Sequence, residues 1–228
     1  FTNEAEYDQG RNLQWAVFRK YPWLKTNFIN GKRFRIKDEK EVRHFLHRMY
    51  VAKSGAMNRV LAQHKKRWDA VAPVYFALMA ALFGDRKWPC GKYIAFGTIW
   101  GMYPRWLENK TFMIPFSHRT PRYVTVVIAH ELLHFMFYDY FYQQYPQYRR
   151  DSDNFFVWHI SEIFNTVIQN SPQWLKYFKL KTLGYPEHTK IVSRLSRKWH
   201  KQSPLDIEIL TCEIMTNVRK EKSLCFHP

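Results

Sequence analysis

His130, Glu131 and His134 stand inside "VVIAHELLHFMFYDYF" (126–141), a stretch that is otherwise almost wholly apolar. At 100° per residue the two histidines lie about 40° apart on a helix, and Glu131 lies about 100° from the first. Two imidazoles one turn apart can hold a single Zn²⁺ at about 2.0–2.1 Å. Glu131 is rotated too far to ligate, yet stays close enough to take a proton from a water activated by that ion. The pattern therefore predicts metal-assisted hydrolysis, with one Zn²⁺ per chain as cofactor and Glu131 as general base.

Burial sharpens this expectation. Val126, Val127, Ile128, Leu132, Leu133, Phe135, Met136 and Phe137 cover the rest of the circumference, and a helix that is apolar all round is a buried helix. A buried polar group without a partner costs about 1–3 kcal/mol, and a charge more. A metal ion is the partner that satisfies all three side chains together.

Two histidines leave the coordination incomplete, since catalytic zinc takes three protein ligands and a water. Glu162, in "WHISEIFN" (158–165), falls mid-helix opposite an apolar face formed by Val157, Ile160, Ile163, Phe164, Val167 and Ile168. It shares its own face with Trp158, His159, Asn165 and Thr166, without Lys or Arg, which suits the lining of a cleft better than a solvated surface in so basic a chain. Glu162 is the expected third ligand; His159 and the Asp151/Asp153 pair are the alternatives.

His130-Glu131-Leu132-Leu133-His134 with a downstream helical Glu162 resembles the gluzincin zinc metallopeptidases, and most of all the minimal soluble ones. Those in turn are similar to catalytic domains of integral-membrane metallopeptidases. The metzincin continuation demands Gly at 137 and His or Asp at 140, where this chain has Phe137 and Tyr140. A deformylase-like reading would use Cys90 as an upstream ligand, but "WPCGK" is all that remains of that family's motifs.

The gluzincin resemblance covers about residues 55–170 and implies an α+β, zincin-like fold. Its parts are a backing helix at 55–83, strands at 92–100 and 110–116, the active-site helix at 121–142 and the glutamate helix at 152–170. It implies a peptide or protein substrate, bound in extended form along an edge strand at 110–116, and no catalytic part for Thr98–Gly101. Many gluzincins orient a histidine with an Asp four residues after the ligand glutamate. Here Thr166 holds that place and Asn165 is the nearer amide, and His159 is expected beside them around the site. Tyr185 and His188 of "GYPEH" stand where relatives often keep a residue that stabilises the transition state. Minimal gluzincins can be latent, and Cys225 and His227 in the tail "EKSLCFHP" are the side chains expected to cover the cleft.

The elements that must position these residues can also be read from the chain. Helices are expected at 3–20, 38–50, 55–83, 121–142 and 151–170, followed by two or three short helices over 173–222, with an Asn-Gly turn in "FINGKRFRI". The 228 residues are 46% hydrophobic, enough for a sizeable core. One domain over 1–228 is expected, with a helical extension at 1–54, the zincin core at 55–170 and a helical region at 171–228. The longest apolar run, "VAPVYFALMAALFG" (71–84), is too short to cross a bilayer, which takes about 20 residues, so no transmembrane segment is expected.

Charge and cysteine usage bound the partners. Lys and Arg number 36 against 19 Asp and Glu, a net charge of +17. That favours an anionic partner, either nucleic acid or a membrane surface. Three irregularly spaced cysteines, with no CxxC, point away from a zinc ribbon or a disulfide scaffold and towards the reducing cytoplasm. A monomer is expected, and the start at Phe1 leaves room for a removed signal. Two other functions fit the same residues: a basic nucleic-acid- or protein-binding module with structural zinc, and a protease of DNA-bound proteins.

Overall fold

The computed structural model describes residues 19–20, 36–84, 86–99, 103–116, 120–149, 155–202 and 205–221. Among them it is an α+β fold with six α-helices and one small sheet. The Asn-Gly turn of "FINGKRFRI" and most of the helix expected at 3–20 lie outside the described residues, as do Asp151, Asp153, Cys225 and His227. In chain order the elements are α1 (Ile36–Phe83), β1 (Ile94–Thr98), β2 (Arg105–Trp106), β3 (Thr111–Pro115), α2 (Pro121–Gln144), α3 (Phe155–Gln169), α4 (Pro172–Phe178), α5 (Thr189–Trp199) and α6 (Ile207–Lys220). None of these helices is long and apolar enough to cross a membrane.

The chain divides into two compact units. One takes in residues up to Trp68 with Ile94–Trp106 and Thr111–Thr125; the other holds Asp69–Tyr93, Leu107–Lys110 and everything from Val126. The two helices expected at 38–50 and 55–83 are one continuous helix, α1, of 48 residues. A glycine inside a helix costs about 1 kcal/mol, and Ser54 turns its hydroxyl back on the Val51 carbonyl at 2.9 Å. Just beyond, Met57 and Val60 pack with Phe116 and Tyr50. That burial carries the helix through the weak point, which is also where the expected extension at 1–54 ended.

The sheet belongs wholly to the first unit. Its order is β1-β3-β2, with β1 and β3 parallel and β2 antiparallel to β3. The strand expected at the edge, 110–116, is therefore the central one. Pro115 is tolerated there because alternate amides of β3 face β2, whose pairing reaches only Thr111 and Phe112, while the bond to β1 is made by the next amide, that of Phe116. The amides around it are satisfied: Met113 N donates to Pro104 O at 2.9 Å, and Phe116 N to Thr98 O at 2.8 Å. His64 Nε2 donates to Phe116 O at 2.9 Å and ties α1 to the end of β3.

The second unit packs helices on helices. Phe137 of α2 lies 4.8 Å from Phe164 of α3, stacks on Phe141 at 5.5 Å, and Phe83 of α1 lies 6.1 Å from Phe164. Tyr75 meets Trp174 edge-on at 5.9 Å. Two helix starts are capped by side chains: Ser171 accepts from Trp174 N, and Asp206 accepts from Glu208 N and Ile209 N.

Phe164 is fully buried at the centre of this cluster. Phe164→Ala should lower the unfolding free energy by about 3–5 kcal/mol, measured by chemical denaturation with the denaturant slope checked for constancy.

Candidate metal centre

Helix α2 is buried over nearly its whole length, as its all-apolar circumference requires, with His130 and His134 projecting from one face. Helix α3 is buried from His159 to Gln169 without a break. The face carrying Glu162 is thus interior rather than solvated. His130, His134 and Glu162 converge, their candidate ligand atoms all lying within 4.8 Å of one another. Nε2 of His130 and Nε2 of His134 are 3.0 Å apart; Glu162 Oε2 is 3.2 Å from the first, and Oε1 is 3.4 Å from the second. The His130 side chain is 16% exposed, that of Glu162 5% and that of His134 0%. The cluster opens to solvent on the His130 side.

The hydrogen bonds around the imidazoles decide what their inner nitrogens can do. Gln169 Nε2 donates to the Val126 carbonyl at 3.3 Å, which turns its Oε1 towards His130 Nδ1 at 2.8 Å. An amide oxygen only accepts, so His130 Nδ1 carries the proton and the neutral ring presents a lone pair at Nε2. Thr182 Oγ1 donates to the same Oε1 at 3.0 Å and fixes the amide further. His134 Nδ1 rests on Ser161 Oγ at 2.5 Å. These partners hold both rings with Nε2 facing inward, as outer-shell groups do around a metal.

The donor set fits Zn²⁺. Bonds of about 2.0–2.1 Å to a tetrahedral ion put neighbouring ligand atoms about 3.3–3.4 Å apart, against the 3.0, 3.2 and 3.4 Å found here. Without a cation, an imidazole lone pair faces a carboxylate in a buried site, which only an added proton can relieve. The pKa directions of the two partners follow from that added proton. Burial lowers the His130 pKa, but the hydrogen bond and charge of Glu162, the charge of Glu131 and the Gln169 contact outweigh it and raise the value. Burial raises the Glu162 pKa, but the charges of His134 and His130 and their hydrogen bonds hold it well below the carboxylate range. Among the described residues no fourth His, Cys, Asp or Glu joins the group. Cys90, considered as an upstream ligand, is exposed and stays outside it.

The other expected site residues are placed as follows. Glu131 is buried beside His130, without joining the ligand group. His159 does not ligate; its Nδ1 pairs with His188 Nε2 at 2.7 Å. His188 is fully buried, and burial followed by the charge of His159 pushes its pKa down to about 4. Tyr185 is 43% exposed, with its ring 4.8 Å from Trp158. Of these two, Tyr185 alone keeps a surface that a substrate can touch.

Asn165 and Thr166 serve the backbone. Asn165 Nδ2 donates to His130 O at 3.2 Å, and Thr166 Oγ1 to Glu162 O at 2.8 Å. The residues that orient the imidazoles are Ser161 and Gln169, which sequence reasoning missed. Gln169 lies two turns beyond Glu162 on the same face, and that spacing was the available signal. The chain matches no protein family, no curated protein and no solved structure, so its chemistry has to be read from these side chains.

Two outcomes follow for the metal. One zinc per chain should be lost in His130→Ala and His134→Ala and weakened by about 10- to 100-fold in Gln169→Ala, measured by metal analysis and competition with a chromogenic chelator. The metal-free protein should show the opposite pH trend to the loaded one. The raised His130 pKa contributes stability that is present below about 6.5 and lost as pH rises through its folded value; the depressed Glu162 pKa contributes stability above about 4.3 that is lost as pH falls through its folded value. The Tm gap between chelated wild type and Glu162→Gln should thus be widest between those two values. Zinc-loaded protein should gain Tm towards alkaline pH, because the ligands must be deprotonated.

Proposed function

We propose that this chain is a zinc-dependent metallopeptidase of gluzincin type. The observation that carries the reading is the convergence of His130, His134 and Glu162, with Glu131 on the same helix and solvent access beside His130. Three protein ligands leave a coordination position open, which favours a catalytic ion over a structural one.

Zinc held by these residues supplies Lewis-acid chemistry, polarising a carbonyl and lowering the pKa of a coordinated water. The remaining work falls to the chain itself. Gln169 and Ser161 hold the imidazoles in place, so the ligand geometry is formed before substrate arrives. The Glu131 carboxylate accepts the proton from the attacking water as the new C–O bond forms. It then delivers that proton to the amine nitrogen as the C–N bond breaks, so one water is consumed per peptide bond. Its burial keeps bulk water from competing for the proton. Tyr185, half-exposed with its ring 4.8 Å from Trp158, is the residue we assign to donate to the oxyanion.

Glu131→Gln tests this reading. The variant should keep stoichiometric zinc and lose about 10²–10⁴-fold in the rate of hydrolysis of a denatured, fluorescently labelled protein. Activity equal to wild type, with metal retained, would remove Glu131 from the reaction and the peptidase reading with it.

A further inference from the structure

The first half of α1 carries a second feature, within the sheet-containing unit and independent of the metal centre. Between Lys40 and Lys66 the only acid is Glu41. Set at 100° per residue, Lys40, Arg43, Arg48, Arg59, Lys65 and Lys66 fall within about 160° of arc, and all six are exposed. His44 and His47 lie on the same arc and are exposed too. Val42, Met57, Val60 and His64 face the other way and are buried.

A helix face turned only to water usually mixes signs, because opposite charges four apart stabilise it and like charges destabilise it by about 0.2–0.5 kcal/mol per pair. Here Lys40, His44 and Arg48 follow one another at four-residue steps. The face is also low in relief, with Gly55, Asn58 and Ala62 exposed among the bases, so an extended surface can approach closely. It runs for about 39 Å at 1.5 Å per residue, slightly more than the roughly 34–36 Å turn of a nucleic-acid duplex.

Two other anionic partners fit less well. An amphipathic helix that lies on a membrane inserts an apolar face, but the apolar side of α1 is already occupied, Met57 and Val60 packing with Phe116 and Tyr50. Single strands bind on exposed aromatic platforms, and Phe45 and Tyr50, the aromatics of this segment, are partly buried. We propose that the basic face of α1 between Lys40 and Lys66 is a binding site for duplex nucleic acid, contacting backbone phosphates without reading sequence. It holds whether or not the metal centre is catalytic.

The test uses the full chain, labelled DNA and RNA duplexes of about 20 base pairs, and vesicles of phosphatidylcholine with phosphatidylserine. One variant, Lys40→Gln/Arg48→Gln/Arg59→Gln/Lys66→Gln, neutralises the face. A second, Lys176→Gln/Lys181→Gln/Lys190→Gln/Arg197→Gln, removes the same charge from exposed positions in the other unit. The face variant should bind duplex at least about 100-fold more weakly at 100 mM salt, and the slope of log K against log salt should fall by about 3.6, at about 0.9 per lost phosphate contact. The second variant should stay within about threefold of wild type. The separate doubles, Lys40→Gln/Arg48→Gln and Arg59→Gln/Lys66→Gln, should each lower the slope by about half as much, and they serve as well if the quadruple variant does not fold. An equal loss in both quadruple variants, no duplex binding by wild type, or face-dependent binding to vesicles in preference to duplex would each overturn the assignment. DNA against RNA affinity then tells which duplex the face prefers.

Discussion

Nε2 of His130 and Nε2 of His134 face each other across 3.0 Å inside a helix pair, with both oxygens of Glu162 against them. No arrangement of neutral rings satisfies all of these acceptors. A proton relieves the cluster in part, as the raised His130 and lowered Glu162 titrations express; a divalent cation relieves it in full. Much of the second unit keeps these atoms where they are. Phe137 and Phe164 clamp α2 to α3, Gln169 and Ser161 aim the rings, and Thr182 locks the glutamine. That cost supports the proposal that the group holds a divalent cation.

Local chemistry was legible in the sequence, and pairing between distant segments was not. His130 and His134 needed only the helical repeat, and Glu162 stood out because its face carried Trp, His and Asn without Lys or Arg. His159 was expected to serve the centre and instead pairs with His188, because the chain after Gly184 returns to α3, a contact that no periodicity encodes. Ser161 carries no signal of its own in the sequence, because its role depends on α2 lying against α3. The strand at 110–116 was expected at an edge, but strand order depends on what lies on either side, and β3 is central. Ser54-Gly55 looked like a break because propensity is local, whereas Met57 and Val60 gain burial that outweighs it.

The two units carry different chemistry. The helical one buries an electron-rich pocket lined by two imidazoles and a carboxylate. The sheet-containing one presents a long basic helix face that accounts for part of the +17 net charge. A metallopeptidase reading of the first and a phosphate-backbone reading of the second rest on separate residues, so either can stand alone.

Zinc K-edge X-ray absorption on the zinc-loaded full chain tests the central claim most directly. The account predicts a first shell of nitrogen and oxygen only, at about 2.0–2.1 Å, with the outer scattering of two imidazoles and room for a solvent oxygen. A sulfur shell near about 2.3 Å, or a third imidazole, would contradict it, placing the ion on ligands other than His130, His134 and Glu162.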